Sequence, residues 1–437
     1  MTVAGVPVYA GTFGAQQAER LLWRAGFGPR SGEAGRFAKL GLDGAVDSLL
    51  NPPAYAAVGA APTDRGYPIA PADAAGHDHL WWLDRMVRGN QPLVERMTLI
   101  WHDWFATSLQ KVASQALMLN QNQTLRTNAL GSFQDLLTNV TSDPAMLVWL
   151  DGIRNTNRAP NENYGRELME LFTLGWSNGY TEIDVREQAR ALTGWRLTAV
   201  KRGAQPSDFT YVDRLHDSGS KTIFGKSGNF DWQDSCRLCL QHPKHSTYFV
   251  QKLWGYFVGA PLDAKTQAGL VALYANGYQV KPVVRAILRH PALYTGPRMV
   301  KQPVVYTAGL LRALDHDVDG NVWTQLDQQS GQRLFYPPDV AGWDYTRWLD
   351  TATFRARWFV AATALAPLRV AEQGGPQEKP ATLLARATHL LGDLSLTQKT
   401  RHALLGFGGA AVKVASPGAV ENALRQLVAV SPDFHTA

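Results

Sequence analysis

Cysteine is nearly absent from this sequence: the chain has 437 residues and only two cysteines, Cys236 and Cys239. So few thiols exclude a fold held together by a network of disulfides. The pair has the C-x-x-C spacing of a redox centre or of half a zinc site, and His242 and His245 follow at distances that leave a zinc site open. Because there is no second cysteine pair and the flanking pattern is helical, we interpret the two residues as ordinary helix thiols.

Long apolar runs are absent as well. No stretch reaches the ~18 apolar residues of a membrane-spanning helix, so no membrane span is expected. Residues 1–13 have neither a basic start nor a long apolar core, and they therefore differ from a secretory signal peptide. The sequence as written fits a cytoplasmic protein, and it equally fits a periplasmic or extracellular protein whose leader has been removed.

Charged residues are sparse at 18%, against 45% hydrophobic residues, which is the balance of a folded globular protein. The net charge of +6 is mild for a chain of this length, and no run of five like charges occurs. Nucleic acid is therefore not an expected partner. An anionic or polar polymer, such as a polysaccharide, is compatible with this charge.

The common catalytic signatures are also missing. The sequence contains no H-E-x-x-H, G-x-S-x-G, G-x-G-x-x-G or kinase motif. No cofactor is therefore predicted, and a divalent metal is left open because histidines and glutamates occur in the polar segments described below.

Helical periodicity is present along most of the chain and predicts an all-α fold: a large multi-helix globular domain with long irregular loops. We expect a main helical domain over residues 1–370 and C-terminal helices over residues 371–437, packed on the same body. Irregular segments are expected at residues 52–76, 197–232 and 335–344. Helices are predicted at residues 16–24, 32–50, 92–108, 113–130, 132–140, 143–150, 233–258, 264–275, 281–290, 300–314 and 350–365, with two or three more within 381–431.

Residues 161–195 hold the most informative polar pattern. When this segment is placed on a helix, Glu167 lies at the edge of an apolar stripe that includes Tyr164. A carboxylate in that position is either hydrogen-bonded for structural reasons or held with a raised pKa for acid chemistry. Glu170, in contrast, stands four residues after Arg166, which predicts a surface ion pair.

Other polar residues have spacings that predict structural roles. Thr181 and Asp184 have the spacing of a capping box at the start of a helix. Arg190 stands three residues after Glu187 and is expected to pair with it. His102 lies opposite the main apolar face of a helix that is apolar nearly all round, and we weigh a buried core histidine equally against a site residue.

A glycine-containing loop concentrates His216, Asp217 and Lys221. Loops of this kind carry binding groups more often than core helices do. The loop lacks the spacing of a phosphate-binding P-loop, so nucleotide binding is not expected.

Several of these motifs together resemble those of a bacterial family, domain-of-unknown-function family 1800, and they occur in that family's order as far as about residue 360. They are Leu22-Trp-Arg-Ala-Gly-Phe-Gly-Pro, Trp101-His-Asp-Trp-Phe-Ala-Thr, Asp143-Pro-Ala-Met-Leu, the run from Pro160 to Gly175, Tyr180-Thr and Asp184-Val with Ala189-Arg-Ala-Leu-Thr-Gly-Trp, His216-Asp with Lys221, and Gly342-Trp.

The resemblance implies membership of a family without an established activity. It also implies export, frequently with a twin-arginine leader, and genes that often lie beside those of sulfatase-like proteins. This chain departs from the family pattern by showing no leader and by having Trp101-His-Asp-Trp-Phe where the pattern usually has Trp-His-Asn-His-Phe. The missing second histidine weakens any metal scheme that needs both.

The leading functional hypothesis is hydrolysis of glycosidic bonds in a polysaccharide or glycoconjugate by paired carboxylates. Glu167 is the expected acid because its apolar flank would raise its pKa, and Asp217 or Glu162 is the expected partner. The residues expected to bind the substrate are Asn161, Asn163, Tyr164, Arg190, Trp195, His216, Lys221 and Trp343.

Two alternatives stay open at this point. One is a metal-dependent oxidoreductase or hydrolase, in which His102 and Glu170 join Glu167 and His216 as mixed nitrogen and oxygen ligands. The other is a non-catalytic scaffold protein of the cell envelope, in which the same polar residues are only structural.

Overall fold

The computed structural model describes residues 5–198, 204–373 and 377–437. Residues 1–4 of the N-terminal segment, 199–203 of the expected irregular stretch and 374–376 at the start of the expected C-terminal helices lie outside the described residues. The structure is 58% helical and 6% strand, which confirms the predicted all-α class.

Eleven helices are described before residue 192. They are α1 (Ala15–Arg24), α2 (Glu33–Lys39), α3 (Gly41–Leu50), α4 (His77–Arg88), α5 (Pro92–Trp104), α6 (Leu109–Val112), α7 (Gln115–Thr127), α8 (Phe133–Thr141), α9 (Pro144–Trp149), α10 (Glu162–Glu167) and α11 (Glu182–Ala191). Asp143 caps α9 by accepting from Ala145 N and Met146 N, and Thr181 and Asp184 form the predicted capping box of α11.

Twelve further helices are described in the second part of the chain. They are α12 (Trp232–Leu240), α13 (His245–Phe257), α14 (Ala264–Ala275), α15 (Val280–Leu288), α16 (Pro291–Thr295), α17 (Pro303–Leu314), α18 (Val322–Gln329), α19 (Thr351–Leu365), α20 (Pro380–Leu390), α21 (Gln398–Ala411), α22 (Pro417–Ala429) and α23 (Pro432–His435). The single helix predicted at residues 233–258 is thus two helices, because the chain leaves helical hydrogen bonding between Leu240 and His245.

The described strands are short and form three antiparallel pairs. They are β1 (Thr63–Asp64) with β2 (Tyr67–Pro68), β3 (Trp195–Leu197) with β4 (Phe209–Tyr211), and β5 (Lys221–Ile223) with β6 (Lys226–Gly228). The third pair lies within the segment expected to be irregular, residues 197–232, and the second pair begins two residues before it; the two pairs attach this segment to α11 and its C-terminal end.

Helix α5 lies between two hydrophobic cores, which explains why its sequence is apolar on nearly every face. Trp101 and Met97 belong to the first core, together with residues of α8, α13 and α15. Leu99 belongs to the second core, which also contains residues of α4, α17, α20 and α22. The C-terminal helices therefore share a core with the rest of the chain.

Helix α10 crosses α11 at Gly165. A Cβ at this position would lie 3.1 Å from Ala189 N and 3.2 Å from Val185 O, so glycine permits the two backbones to approach closely. This crossing places the polar residues of α10 beside those of α11. Within the described ranges, none of the helices combines the length and the apolar composition that crossing a bilayer requires.

Candidate functional site

Helix α10 continues directly into a π-helix, Leu168–Thr173, rather than into the single α-helix that the sequence pattern predicted. The backbone bond from Leu174 N to Met169 O, 2.8 Å long, spans five residues, as a π turn requires. Such turns are rare and frequently occur at functional sites. This one directly follows Glu167 and contains Glu170.

Side chains of α5 and α13 bind the carbonyl groups at the end of the π-helix. Tyr248 Oη (2.7 Å) and Lys252 Nζ (2.9 Å) donate to Leu171 O, Trp104 Nε1 donates to Phe172 O (3.0 Å), and His245 Nδ1 donates to Thr173 O (2.9 Å). Since these carbonyls lie at a helix end, their partners replace missing backbone bonds. The π-helix is therefore held from outside by four side chains.

Glu167 is the last residue of α10 and is half-buried. Its carboxylate has no hydrogen bond or ion pair with any residue that the structure describes. Burial, and then the nearby charge of Glu170, raise the pKa of Glu167 to about 7. Of the two interpretations that the sequence leaves open for Glu167, the structure fits the raised pKa.

Glu170 binds Arg166, as the four-residue spacing predicts, with Nη1 3.3 Å from Oε1. Arg166 also contacts Glu162 (3.3 Å) and Glu182 (2.8 Å), so one guanidinium joins three carboxylates. Glu162 is further contacted by Arg186, at 3.6 Å. Glu162 and Glu170 are therefore both held in ion pairs with Arg166, and Glu170 is the one whose charge raises the pKa of Glu167.

Asp217, the other expected partner of Glu167, is bound by Arg190 through two hydrogen bonds of 2.7 and 3.1 Å. The Arg190 guanidinium lowers the pKa of Asp217. Arg190 also pairs with Glu187, as predicted, with a closest distance of 2.9 Å. Asp217 is thus held in an ion-pair network with Arg190 and Glu187 of α11.

The remaining residues of the 215–221 loop hold its conformation. Lys221 is buried and its ammonium donates to the carbonyls of Asp217 and Gly219. His216 Nδ1 lies 3.1 Å from Thr193 O, at the end of α11. These contacts fix the loop on α11.

Three more of the expected binding residues lie at the start of α10. Asn161 caps the helix by accepting from Asn163 N at 2.9 Å, and Asn163 itself is partly exposed. Tyr164 is buried, and its hydroxyl donates to Val140 O at 3.3 Å. Its side chain therefore packs in the core rather than facing a ligand.

Trp195 lies in an aromatic cluster, with its ring centroid 5.5 Å from those of both Tyr211 and Trp232. His102 is buried, and its Nε2 accepts a hydrogen bond from Phe335 N at 3.2 Å. Burial lowers the pKa of His102 to about 3, so the ring is neutral. His102 is thus a satisfied core histidine.

The residues of the metal hypothesis do not come together. Within residues 5–198, 204–373 and 377–437, no group of three or more histidine, cysteine, aspartate or glutamate side chains is arranged to hold a metal ion. Cys236 and Cys239 are free, buried thiols. Burial raises the pKa of Cys236 to about 12, as befits the helix thiols that the sequence indicated.

Asp103 is a polar residue that the sequence reasoning did not single out. Its carboxylate accepts from Tyr256 Oη (2.6 Å) and from Trp343 N (3.0 Å). Burial raises the pKa of Asp103 and lowers that of the neighbouring Lys252 to about 8. The signal was present in the motif Trp101-His-Asp-Trp-Phe, where the aspartate directly follows the histidine.

The loop at residues 338–344 packs closely against Asp103. A Cβ at Gly342 would clash with Asp103 Oδ1, and Gly342 has a φ of +93°. Trp343 also lines an open cleft of about 440 Å³, together with Trp348, Tyr336 and Arg333. Asp103 thus binds Trp343 of this cleft and Tyr256 of α13, and Lys252, one turn before Tyr256 on α13, binds Leu171 O of the π-helix.

The family model described as "Protein of unknown function (DUF1800)" matches residues 20–436. Neither a curated protein nor a solved structure matches this chain. The match covers nearly the whole chain and contains every motif that carried the resemblance, so this chain belongs to the DUF1800 family.

Proposed function

We propose that this protein hydrolyses glycosidic bonds in a polysaccharide or glycoconjugate, with Glu167 as the general acid. The observation that carries the proposal is the half-buried Glu167 carboxyl, which has a pKa of about 7 and lies beside the charge of Glu170. Acid and base roles at neutral pH usually require two carboxyl groups whose surroundings push their pKa values apart.

In this reaction Glu167 donates its proton to the glycosidic oxygen as the bond to the anomeric carbon breaks. Glu170, bound by Arg166 at 3.3 Å, is the carboxylate that attacks the anomeric carbon. Attack by Glu170 corresponds to a retaining mechanism: it forms a covalent glycosyl ester with Glu170 while the leaving oxygen takes the proton of Glu167. Water, deprotonated by Glu167, then attacks the anomeric carbon, releases Glu170 and restores the proton of Glu167.

The substrate side of the proposal rests on Trp343. It lines the open cleft, and its backbone binds Asp103. Aromatic rings offer apolar faces on which sugar rings stack, while their polar edges and neighbours bind hydroxyl groups. Glu167 and Glu170 do not line this cleft, so a polymer bound in it must extend along the surface beyond the cleft to reach them.

The test is release of reducing ends from a panel of neutral, uronate-containing and sulfated polysaccharides. On a cleaved substrate, Glu167→Gln is expected to lower kcat by about 10²–10⁴-fold, the usual contribution of a general acid. The matched control is Glu378→Gln, which removes a partly exposed carboxylate paired with Arg386 elsewhere on the surface. The parent's activity is expected to fall as the pH rises through about 7, where Glu167 loses its proton.

A second measurement separates acid catalysis from a loss of folding. Aryl glycosides with good leaving groups need little protonation, so Glu167→Gln is expected to retain most of its activity on them. Equal rates for Glu167→Gln and the parent on the natural polymer would overturn the assignment of the acid. If no polysaccharide of the panel is cleaved, the proposed reaction itself is wrong.

A further inference from the structure

We infer that the cleft beside Trp343 binds an acidic sugar unit, with Arg333 as the residue that recognises its anionic group. The inference rests on the proposed function only in taking the ligand to be a saccharide. It adds the substrate class, namely a polymer that bears carboxylate or sulfate groups.

The cleft has aromatic and polar walls. Tyr336, Trp343 and Trp348 line it together with Arg333 and the amide side chains of Gln328 and Gln329. Its volume of about 440 Å³ falls in the range of small-molecule sites and accommodates a short stretch of a saccharide chain. Trp343 and Trp348 are more than nine-tenths buried, so their positions are fixed by packing.

Arg333 is held in a fixed orientation with little to neutralise it. Its guanidinium carbon lies 3.8 Å from the centre of the Tyr336 ring, so the planar group is stacked on the aromatic face. Its one side-chain hydrogen bond within the described residues is a 3.4 Å contact to the neutral amide oxygen of Gln328. Its buried Nε has no acceptor there.

The carboxylates of the cleft do not compensate Arg333. Asp344 is exposed and Asp350 is partly exposed at the rim, and each uses an oxygen to cap a following turn, through Thr346 and Thr353 respectively. Asp78 does not line the cleft; it is fully buried, accepts from His79 N at 2.9 Å and interacts with the charge of Arg333 without contacting it. No carboxylate of a described residue lies within 4.0 Å of the Arg333 guanidinium.

An anionic ligand group supplies what Arg333 lacks. A stacked guanidinium presents its N–H groups along one edge, and a planar carboxylate or a sulfate accepts two of them at once. The exposed carboxylates at the rim are surrounded by water and are screened by salt, so they oppose such binding only weakly. The interior of the cleft therefore favours a negative charge.

The test measures binding by calorimetry with the Glu167→Gln protein, so that cleavage does not interfere. The probes are an oligogalacturonate, a dextran sulfate and a neutral dextran of matched length. We expect the neutral dextran to bind at least about tenfold more weakly than one of the anionic probes. Binding by the oligogalacturonate alone identifies a carboxylate ligand, and binding by dextran sulfate alone identifies a sulfate ligand.

Variants then assign the recognition to Arg333. Arg333→Gln is expected to weaken binding of the anionic probe by about tenfold or more, the usual effect of losing a charged hydrogen-bond pair. Arg333→Lys retains the charge but lacks the paired N–H donors of the guanidinium. Its affinity for the anionic probe is expected to lie between those of the parent and of Arg333→Gln. The control is Arg355→Gln, which removes an arginine that also stacks on a ring, that of Phe359, but lies outside the cleft.

Three outcomes would overturn the inference: equal binding of neutral and anionic probes, no effect of Arg333→Gln, or an equal loss for Arg355→Gln. The last would mean that the net charge of +6 attracts the probes without a site. Failure of the proposed function gives a different result. If the anionic probe binds in a manner that depends on Arg333 but the protein cleaves no polysaccharide of the panel, the cleft is a binding site for an acidic saccharide and the proposed hydrolysis is wrong.

Discussion

At the scale of single residues, Glu167 couples the stability of the protein to pH. Its pKa rises from an ordinary 4.5 to about 7 on folding, so the folded state holds the proton more tightly. Its contribution to stability is therefore present below pH 4.5 and is lost as the pH rises through 7. Because the carboxyl is partly exposed, we expect the loss to be about 1–2 kcal/mol after allowance for solvent screening.

Urea unfolding at pH 4.5 and pH 8 checks this expectation. Glu167→Gln lacks the titrating group, so it does not lose this contribution as the pH rises. Its free energy of unfolding minus that of the parent is therefore expected to be larger at pH 8 than at pH 4.5. The same pH dependence in both proteins would show that Glu167 titrates equally in the folded and unfolded states.

Gly165 permits the crossing of α10 and α11, and a methyl group there meets backbone atoms that cannot move aside. We expect Gly165→Ala to lower the free energy of unfolding by roughly 1–3 kcal/mol. Gly255→Ala is the matched control, because Gly255 lies on α13 with no atom within 4 Å of its added Cβ. That change is expected to stabilise the protein by about 0.4–1 kcal/mol, since alanine restricts the unfolded chain. Chemical denaturation of both variants measures the difference, and equal effects would contradict the close crossing.

The residue-scale contacts that the sequence predicted are those set by helix geometry alone. Arg166 with Glu170 and Arg190 with Glu187 are spaced by one helical turn, so their pairing needs no knowledge of the fold. Asp103 shows the limit, because its partners Tyr256 and Trp343 are 153 and 240 residues away in the chain. Nothing in a single sequence links positions so distant.

At the scale of secondary structure elements, the π-helix depends on donors from another helix. Tyr248 and Lys252 both bind Leu171 O, so removing one of them leaves the other in place. We expect Tyr248→Phe and Lys252→Met together to cost about 1 kcal/mol more than the sum of the single changes, because only the double variant leaves the carbonyl without a donor. A double-mutant cycle in urea measures this coupling, and additive effects would show that water replaces the two side chains.

Elements that are determined by neighbouring residues could be predicted from the sequence, and elements that depend on distant residues could not. The start of α11 was predictable because Thr181 and Asp184 supply the cap locally. The π-helix was not, since the residues from Leu168 to Thr173 have an ordinary helical pattern and the donors that hold it come from α5 and α13. Helices α4 and α18 were not predicted for a related reason. Each buries a polar residue, His79 on α4 and Asp327 on α18, and these two side chains bind one another at 3.1 Å although they are far apart in the chain.

At the scale of the whole molecule, Phe434 joins distant parts of the chain. Its ring lies 5.5 Å from that of Trp23 and 5.6 Å from that of Tyr306, and it is fully buried. Phe434→Ala is expected to lower the free energy of unfolding by about 3–5 kcal/mol. Phe407→Ala is the control at a surface position, where the ring is 40% exposed, and it is expected to change stability by about 0.5 kcal/mol.

Far-ultraviolet circular dichroism and tryptophan fluorescence during urea unfolding provide the readout for both variants. Since the C-terminal helices share a core with α4 and α17, the two signals are expected to change together in the parent and in Phe434→Ala. Separate transitions would show that the C-terminal helices unfold as an independent unit.

The π-helix also limits how this gene can change. A π turn holds one residue more than an α-helix of the same rise, so deleting a single codon there restores ordinary helical winding. The residues beyond the deletion then keep their orientation around the axis, because the narrower turn makes up for the missing residue. What such a deletion removes is the wide turn itself, and with it the geometry in which the carbonyls of Phe172 and Thr173 meet Trp104 and His245.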